Sequence, residues 1–167
     1  MASNRHLGRI IALQTLYEYD FRLAASDSSL DLDEVLTRNI ARFSKTVEDV
    51  EFIKSLVWGV VKASKGLDKQ LQPVAPEWPI DQIARMDRII LRIGLWELEN
   101  EPDVPPKVVI NEAVELAKAF GADNSSKFVN GVLGTLFKRV NAAAEKAAPK
   151  AKKTPLKQKK SHSGASK

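Results

Sequence analysis

Two histidines, His6 and His162, stand near opposite ends of a 167-residue chain that has no cysteine. Disulfides, thiolate zinc sites and cysteine nucleophiles are therefore excluded, and two histidines so far apart offer neither a histidine-rich metal site nor a buried base. Carboxylates are many, but spacings such as Glu97, Glu99 and Glu101 are those of a polar helix face, where solvation is the expected state. There is no glycine-rich phosphate loop, no GxSxG elbow, no CxxC and no HExxH. The residues support no catalytic group, no metal and no cofactor. Two short clusters stand out, one basic and one at a helix start. The first is Arg5, His6 and Arg9, which precede every acid in the chain. The second is "NSSKF", residues 124–128, where small polar groups open a helix beside Lys127 and Phe128. Free backbone N–H groups at a helix start receive phosphate or base acceptors, a lysine adds charge, and an aromatic ring gives a base a face to stack on.

The net charge of +5 divides unevenly. Residues 144–167 carry eight lysines and one acid, so the preceding 143 residues are slightly acidic. A general basic field is absent from the folded part, and any nucleic-acid contact there must come from a local cluster. The tail is almost without large apolar residues; it is expected to be disordered and to hold RNA phosphates without reading sequence. No apolar run reaches the ~20 residues of a membrane span, and the start "MASNRHLGR" lacks the apolar stretch of a secretory signal, so a soluble cytoplasmic protein is expected.

Helical periodicity places these clusters on an all-α framework of about six to seven helices. Apolar positions predict helices over residues 4–23, 31–43, 46–71, 80–99, 106–121 and from about 125 to 140. "QPVAPEWPI" interrupts the pattern with three prolines in seven residues, which fix φ and remove donors. It divides a domain spanning 1–143 into sub-bundles of about 1–72 and 80–143. Gly121 reads as a left-handed cap, and Asp123, Asn124 or Ser125 as the start of the last helix. Gly59, Gly94 and Gly131 lie inside apolar helical runs, where glycine costs about 1 kcal/mol against alanine. The direct explanation is close approach of neighbouring helices. Asn130 in the same setting is expected to be a buried amide that fixes the packing, with Asn111 one candidate partner.

"RIIALQTLYEYD", "IDQIARMDRIILRIGLWEL" and "DVPPKVVINEAVELAKAFGADNSSKFVNGVLGTL" closely resemble the NusB family of bacterial transcription antitermination factors. The likeness covers the chain in order from about residue 5 to residue 140. It implies two small helical bundles packed together, and binding of a boxA-like single-stranded RNA jointly with the ribosomal protein NusE. The complex would modify RNA polymerase for ribosomal RNA transcription. By the same resemblance, Arg5, His6, Arg9 and Tyr17 are RNA-binding residues of the first helix. Asn124, Ser125, Lys127 and Phe128 form a second RNA patch, and Asp87 and Arg88 the NusE-facing surface. The N-terminal arm departs from the family pattern, with fewer arginines than many relatives carry. Some relatives also self-associate. An adaptor in ribosomal RNA processing or small-subunit assembly would use the same RNA and partner. A methyltransferase, some of which carry a NusB-like domain, would need cysteines that are absent here.

Overall fold

The computed structural model describes residues 2–75 and 78–147; among them are six α-helices and no strand. The helices are α1 (Ala2–Ala24), α2 (Leu32–Arg42), α3 (Val50–Leu71), α4 (Arg85–Asn100), α5 (Pro106–Phe120) and α6 (Ser125–Ala147). The all-α expectation holds. α6 runs four residues into the stretch expected to be tail, and the rest of that stretch, 148–167, lies outside the described residues. No helix among the described residues is long and apolar enough to cross a membrane.

Local chemistry explains where the helices begin. The Asp31 side chain accepts from the Glu34 N–H at the start of α2, and Asp49 accepts from the Phe52 N–H at the start of α3. Each satisfies one of the four free donors of a helix N-terminus. The second cap places the start of α3 four residues later than the periodicity suggested, because a turn over 43–46 and an irregular stretch over 47–49 precede it. Pro106 occupies the first turn of α5, where a missing N–H costs nothing. The expected 80–99 helix is shorter: residues 80–82 make one 3₁₀ turn before α4 begins.

α4 is the centre of the packing and touches α1, α3, α5 and α6. Its run from Ile89 to Glu97 is buried almost throughout, with Ile90, Leu91 and Leu95 fully enclosed. Each such side chain contributes about 1.5–3 kcal/mol by leaving water. One continuous apolar cluster joins residues on both sides of the proline break, from Ile11 and Leu56 to Leu116 and Leu133.

Two of the three singled-out glycines do admit a neighbour. A Cβ on Gly59 would lie 2.5 Å from the Trp96 indole nitrogen, and one on Gly94 would lie 2.6 Å from a Leu133 methyl. Gly131 differs: it is exposed, and a Cβ there would meet nothing within 4 Å. Asn130 and Asn111 are exposed as well, which corrects the expectation of a buried amide at that position. The helix turns the Val129, Val132, Leu133 and Leu136 face inward, so residues 130 and 131 fall on the opposite side. The buried interhelical amide is instead Asn39 of α2, which donates to the Thr15 hydroxyl of α1 at 3.1 Å. Asn130→Leu is accordingly expected to change stability by no more than about 0.5 kcal/mol in a denaturant melt. A loss several times larger would show a packing role for this amide. Gly121 is not left-handed either; its φ is −87°. It remains glycine because a Cβ would fall 2.5 Å from the Ser125 Cβ and 2.7 Å from the Ala117 carbonyl oxygen.

Candidate nucleic-acid interface

The first basic cluster lies along α1 and is largely engaged inside the chain. Arg9 is only 3% exposed and forms a fork on Glu97 of α4: Nε donates to both carboxylate oxygens at 3.1 and 3.0 Å, and Nη2 to Oε1 at 2.7 Å. Arg9 therefore cannot reach an RNA, and Glu97, read from spacing as one of a solvated row, is a core residue at 1% exposure. Nothing in the spacing distinguished it from Glu99; only the fold places an arginine opposite it. Burial pushes the Glu97 carboxyl above the ordinary carboxylate range, while the hydrogen bonds and charge of Arg9 pull it back. Its ring partly exposed, His6 meets Glu112 of α5 at 2.6 Å, and the same carboxylate lies 3.7 Å from Arg9. Arg5 keeps the most freedom: its side chain is 41% exposed, 3.8 Å from Asp49 and stacked over the Phe52 ring at 4.7 Å. Tyr17 is part-buried, with the Arg85 guanidinium 5.9 Å from its ring centre.

The second cluster sits where α5 turns into α6. Gly121 ends α5, and the Ala122 N–H donates to the Ser125 hydroxyl at 2.8 Å. Ser125 is 3% exposed, so its oxygen closes the corner and is not offered to a ligand, contrary to its place in the expected RNA patch. Asn124 is exposed, and its carbonyl receives the Phe128 N–H. Lys127 is exposed, while Phe128 is part-buried against the core with one side open.

That open side faces two adjoining grooves. One, of about 600 Å³, is lined by Trp78, Ile83, Asp87, Asp123, Asn124 and Phe128. The other, of about 430 Å³, is lined by Val74, Trp78, Lys127, Phe128, Gly131 and Thr135, among others. Trp78 belongs to both and is 58% exposed. Sequence reasoning passed over it as part of the proline break, although an indole in a proline-rich segment between helices was a signal. Gln72 sets its position by donating to the Trp78 carbonyl at 3.0 Å and accepting from the Ile80 N–H at 2.8 Å.

Asp87 and Arg88, the expected partner surface, part ways. Arg88 turns to Asp20 of α1 at 3.0 Å, where Arg85 at 2.8 Å and Arg92 at 3.5 Å also converge. Asp87 lines the larger groove and has an enclosed oxygen, Oδ1, without a hydrogen-bond partner among the described residues. The fold thus brings Asp87, Asn124, Ser125 and Phe128 to one groove, puts Lys127 on the adjoining one, and leaves Arg5, His6, Arg9, Tyr17 and Arg88 outside both. Among the described residues no group of three or more histidines, cysteines or acids is placed to hold a metal ion.

Comparison with known proteins agrees with this architecture. A transcription antitermination protein NusB of Chloroflexus aggregans is 44% identical over 87% of this chain and 94% of its own. The solved NusB of T. maritima superposes with a TM-score of 0.71 at 29% identity, covering 80% of this chain and 90% of that one. A crystal structure of antitermination factors NusB and NusE in complex with dsRNA matches with a TM-score of 0.70 at 26% identity, over 83% and 99% of the two chains. The NusB family model itself matches residues 6–138, so that the helices, their order and the α5–α6 corner all fall within it, and this chain belongs to the NusB family.

Proposed function

We propose that this chain is a transcription antitermination factor that binds a single-stranded boxA-type RNA together with the ribosomal protein NusE, acting on RNA polymerase during ribosomal RNA transcription in the bacterial cytoplasm. The observation that carries the reading is membership of a family with a member solved in complex with NusE and dsRNA. The role is binding without catalysis, by a unit spanning 1–143 whose halves, 1–72 and 80–143, share one core.

Within that role the α5–α6 corner is the main RNA surface. Lys127 attracts phosphate, Phe128 offers its open ring face, and Asn124 presents an exposed amide. Arg5 and His6 add a weaker contact, since both already have acidic neighbours in the chain. Asp87 faces the partner, because a groove holding Asp87 and Asp123 favours a basic protein over a phosphate backbone.

The test is a titration of boxA-like and scrambled RNA, with and without NusE. A marked preference for the boxA-like strand in the presence of NusE is expected, and equal affinity for the two would remove the reading. Phe128→Ala should weaken the ternary complex by about 1–3 kcal/mol with little dependence on salt, whereas the loss from Lys127→Ala should fade as salt rises. If Phe128→Ala chiefly unfolds the protein, the ring acts as a core residue.

A further inference from the structure

Gly131 is an exposed glycine in the middle of α6, where alanine would be favoured by about 1 kcal/mol and nothing among the described residues would obstruct it. Gly59 and Gly94 are explained by Trp96 and Leu133; Gly131 has no such neighbour. Two other helical glycines, Gly66 and Gly134, also have open space around them, so an absent clash is not by itself a site. What sets Gly131 apart is its place in the floor of the 430 Å³ groove, between Lys127 and Phe128 on one side and Thr135 on the other, with Trp78 facing α6 from the proline-rich segment.

We propose that this groove receives an unstacked base of the bound RNA, which lies against the bare α6 backbone at Gly131 with Trp78 and Phe128 as its aromatic lining. The inference rests on the RNA reading above and adds to it a subsite and two residues, Trp78 and Gly131. The chemistry of the lining selects the occupant. Val74, Ala75, Val132 and the two aromatic rings give an apolar slot, and the volume lies within the range of about 300–1,000 Å³ usual for small-ligand pockets. Among the described residues, the only charge in the lining is Lys127, which suits the phosphate attached to a base. The neighbouring groove, by contrast, holds two carboxylates and would repel it. Polar selectivity is available as well. The Thr135 hydroxyl donates its proton to the Gly131 carbonyl at 2.9 Å, which leaves its lone pairs to accept from a base amino group. A glycine then has a physical reason, because a methyl group at 131 would stand in the space the base occupies. Trp78 is held ready for this contact, since Gln72 bridges the backbone on either side of the proline bend.

The test uses the full chain with NusE and a single-stranded boxA-like RNA, comparing Gly131→Ala, Gly134→Ala and Trp78→Ala. Gly131→Ala is expected to raise the melting temperature by a few degrees, as a helix glycine replaced in open space should, and yet to weaken RNA binding about tenfold. Gly134→Ala, which lines neither groove, should raise the melting temperature similarly and leave affinity unchanged. Trp78→Ala should weaken RNA binding by about fivefold to a hundredfold, the range for loss of one stacked base. If Gly131→Ala binds RNA as the parent protein does, or melts lower than it, no base lies at the backbone. If Gly131→Ala and Trp78→Ala weaken the RNA-free complex with NusE and leave the RNA step unaltered, the groove belongs to the protein partner. Failure of the parent protein to bind RNA would remove the functional reading as well, whereas parent binding with unaffected variants removes the subsite alone.

Discussion

Replacing Arg9 with alanine is expected to destabilise the protein by about 3–5 kcal/mol at neutral pH, the cost of removing one partner from a buried ion pair. The size follows from what remains. Glu97, at 1% exposure, would keep its charge without the three hydrogen bonds that Arg9 supplies, and Glu112 and Glu101 oppose that charge further. The penalty should depend on pH in a definite direction. In the variant the folded-state Glu97 carboxyl lies still further above its ordinary value of 4.5, so the folded protein holds a proton that the unfolded chain has released. Stability is then lost as pH rises from about 4.5 through the raised folded value, and the variant lies closest to the parent protein in acid. Denaturant melts at several pH values measure this. Arg9→Met combined with Glu97→Leu should recover much of the loss, because exchanging a whole buried pair for apolar groups is often neutral. Full stability in Arg9→Ala, accompanied by lost RNA binding, would return Arg9 to the RNA surface.

Gly59→Ala is expected to cost about 1–3 kcal/mol even though alanine is the better helix former by about 1 kcal/mol. The added methyl would meet the Trp96 ring, with the indole nitrogen only 2.5 Å away. Trp96 is 8% exposed and packed into the cluster that joins α3 to α4, so the ring cannot move aside without disturbing that contact. The comparison with Gly131→Ala is direct: the same exchange within a helix, one destabilising and one stabilising. A melting temperature for Gly59→Ala at or above that of the parent would show that Trp96 has another rotamer available.

Much of the framework was legible in the chain itself, because it depends on neighbours in sequence. Apolar residues at three- and four-residue spacing mark the helical faces, prolines at 73, 76 and 79 remove donors wherever the chain folds, and Asp31 or Asp49 caps the turn that follows it. The family likeness was legible for the same reason, since its motifs are local strings such as "INEAVELAKAFG" and "SSKFVNGVL". Pairings between distant residues were not. Periodicity gives a residue's position around its own helix but not what stands opposite. Arg9 therefore read as a free basic residue until Glu97, 88 positions away, closed a fork on it, and Glu97 read as solvated for the same reason. Three glycines in similar apolar strings proved to be of two kinds, because the space beside a glycine belongs to another helix. Gly59 and Gly94 face side chains of α4 and α6, while Gly131 faces the open groove beside Trp78. Periodic burial and backbone chemistry were determined by the sequence alone. Which charges are neutralised, which amide is buried and which glycine is left open were decided by tertiary structure, because each depends on atoms brought within a few ångströms only when α4 packs among its neighbours.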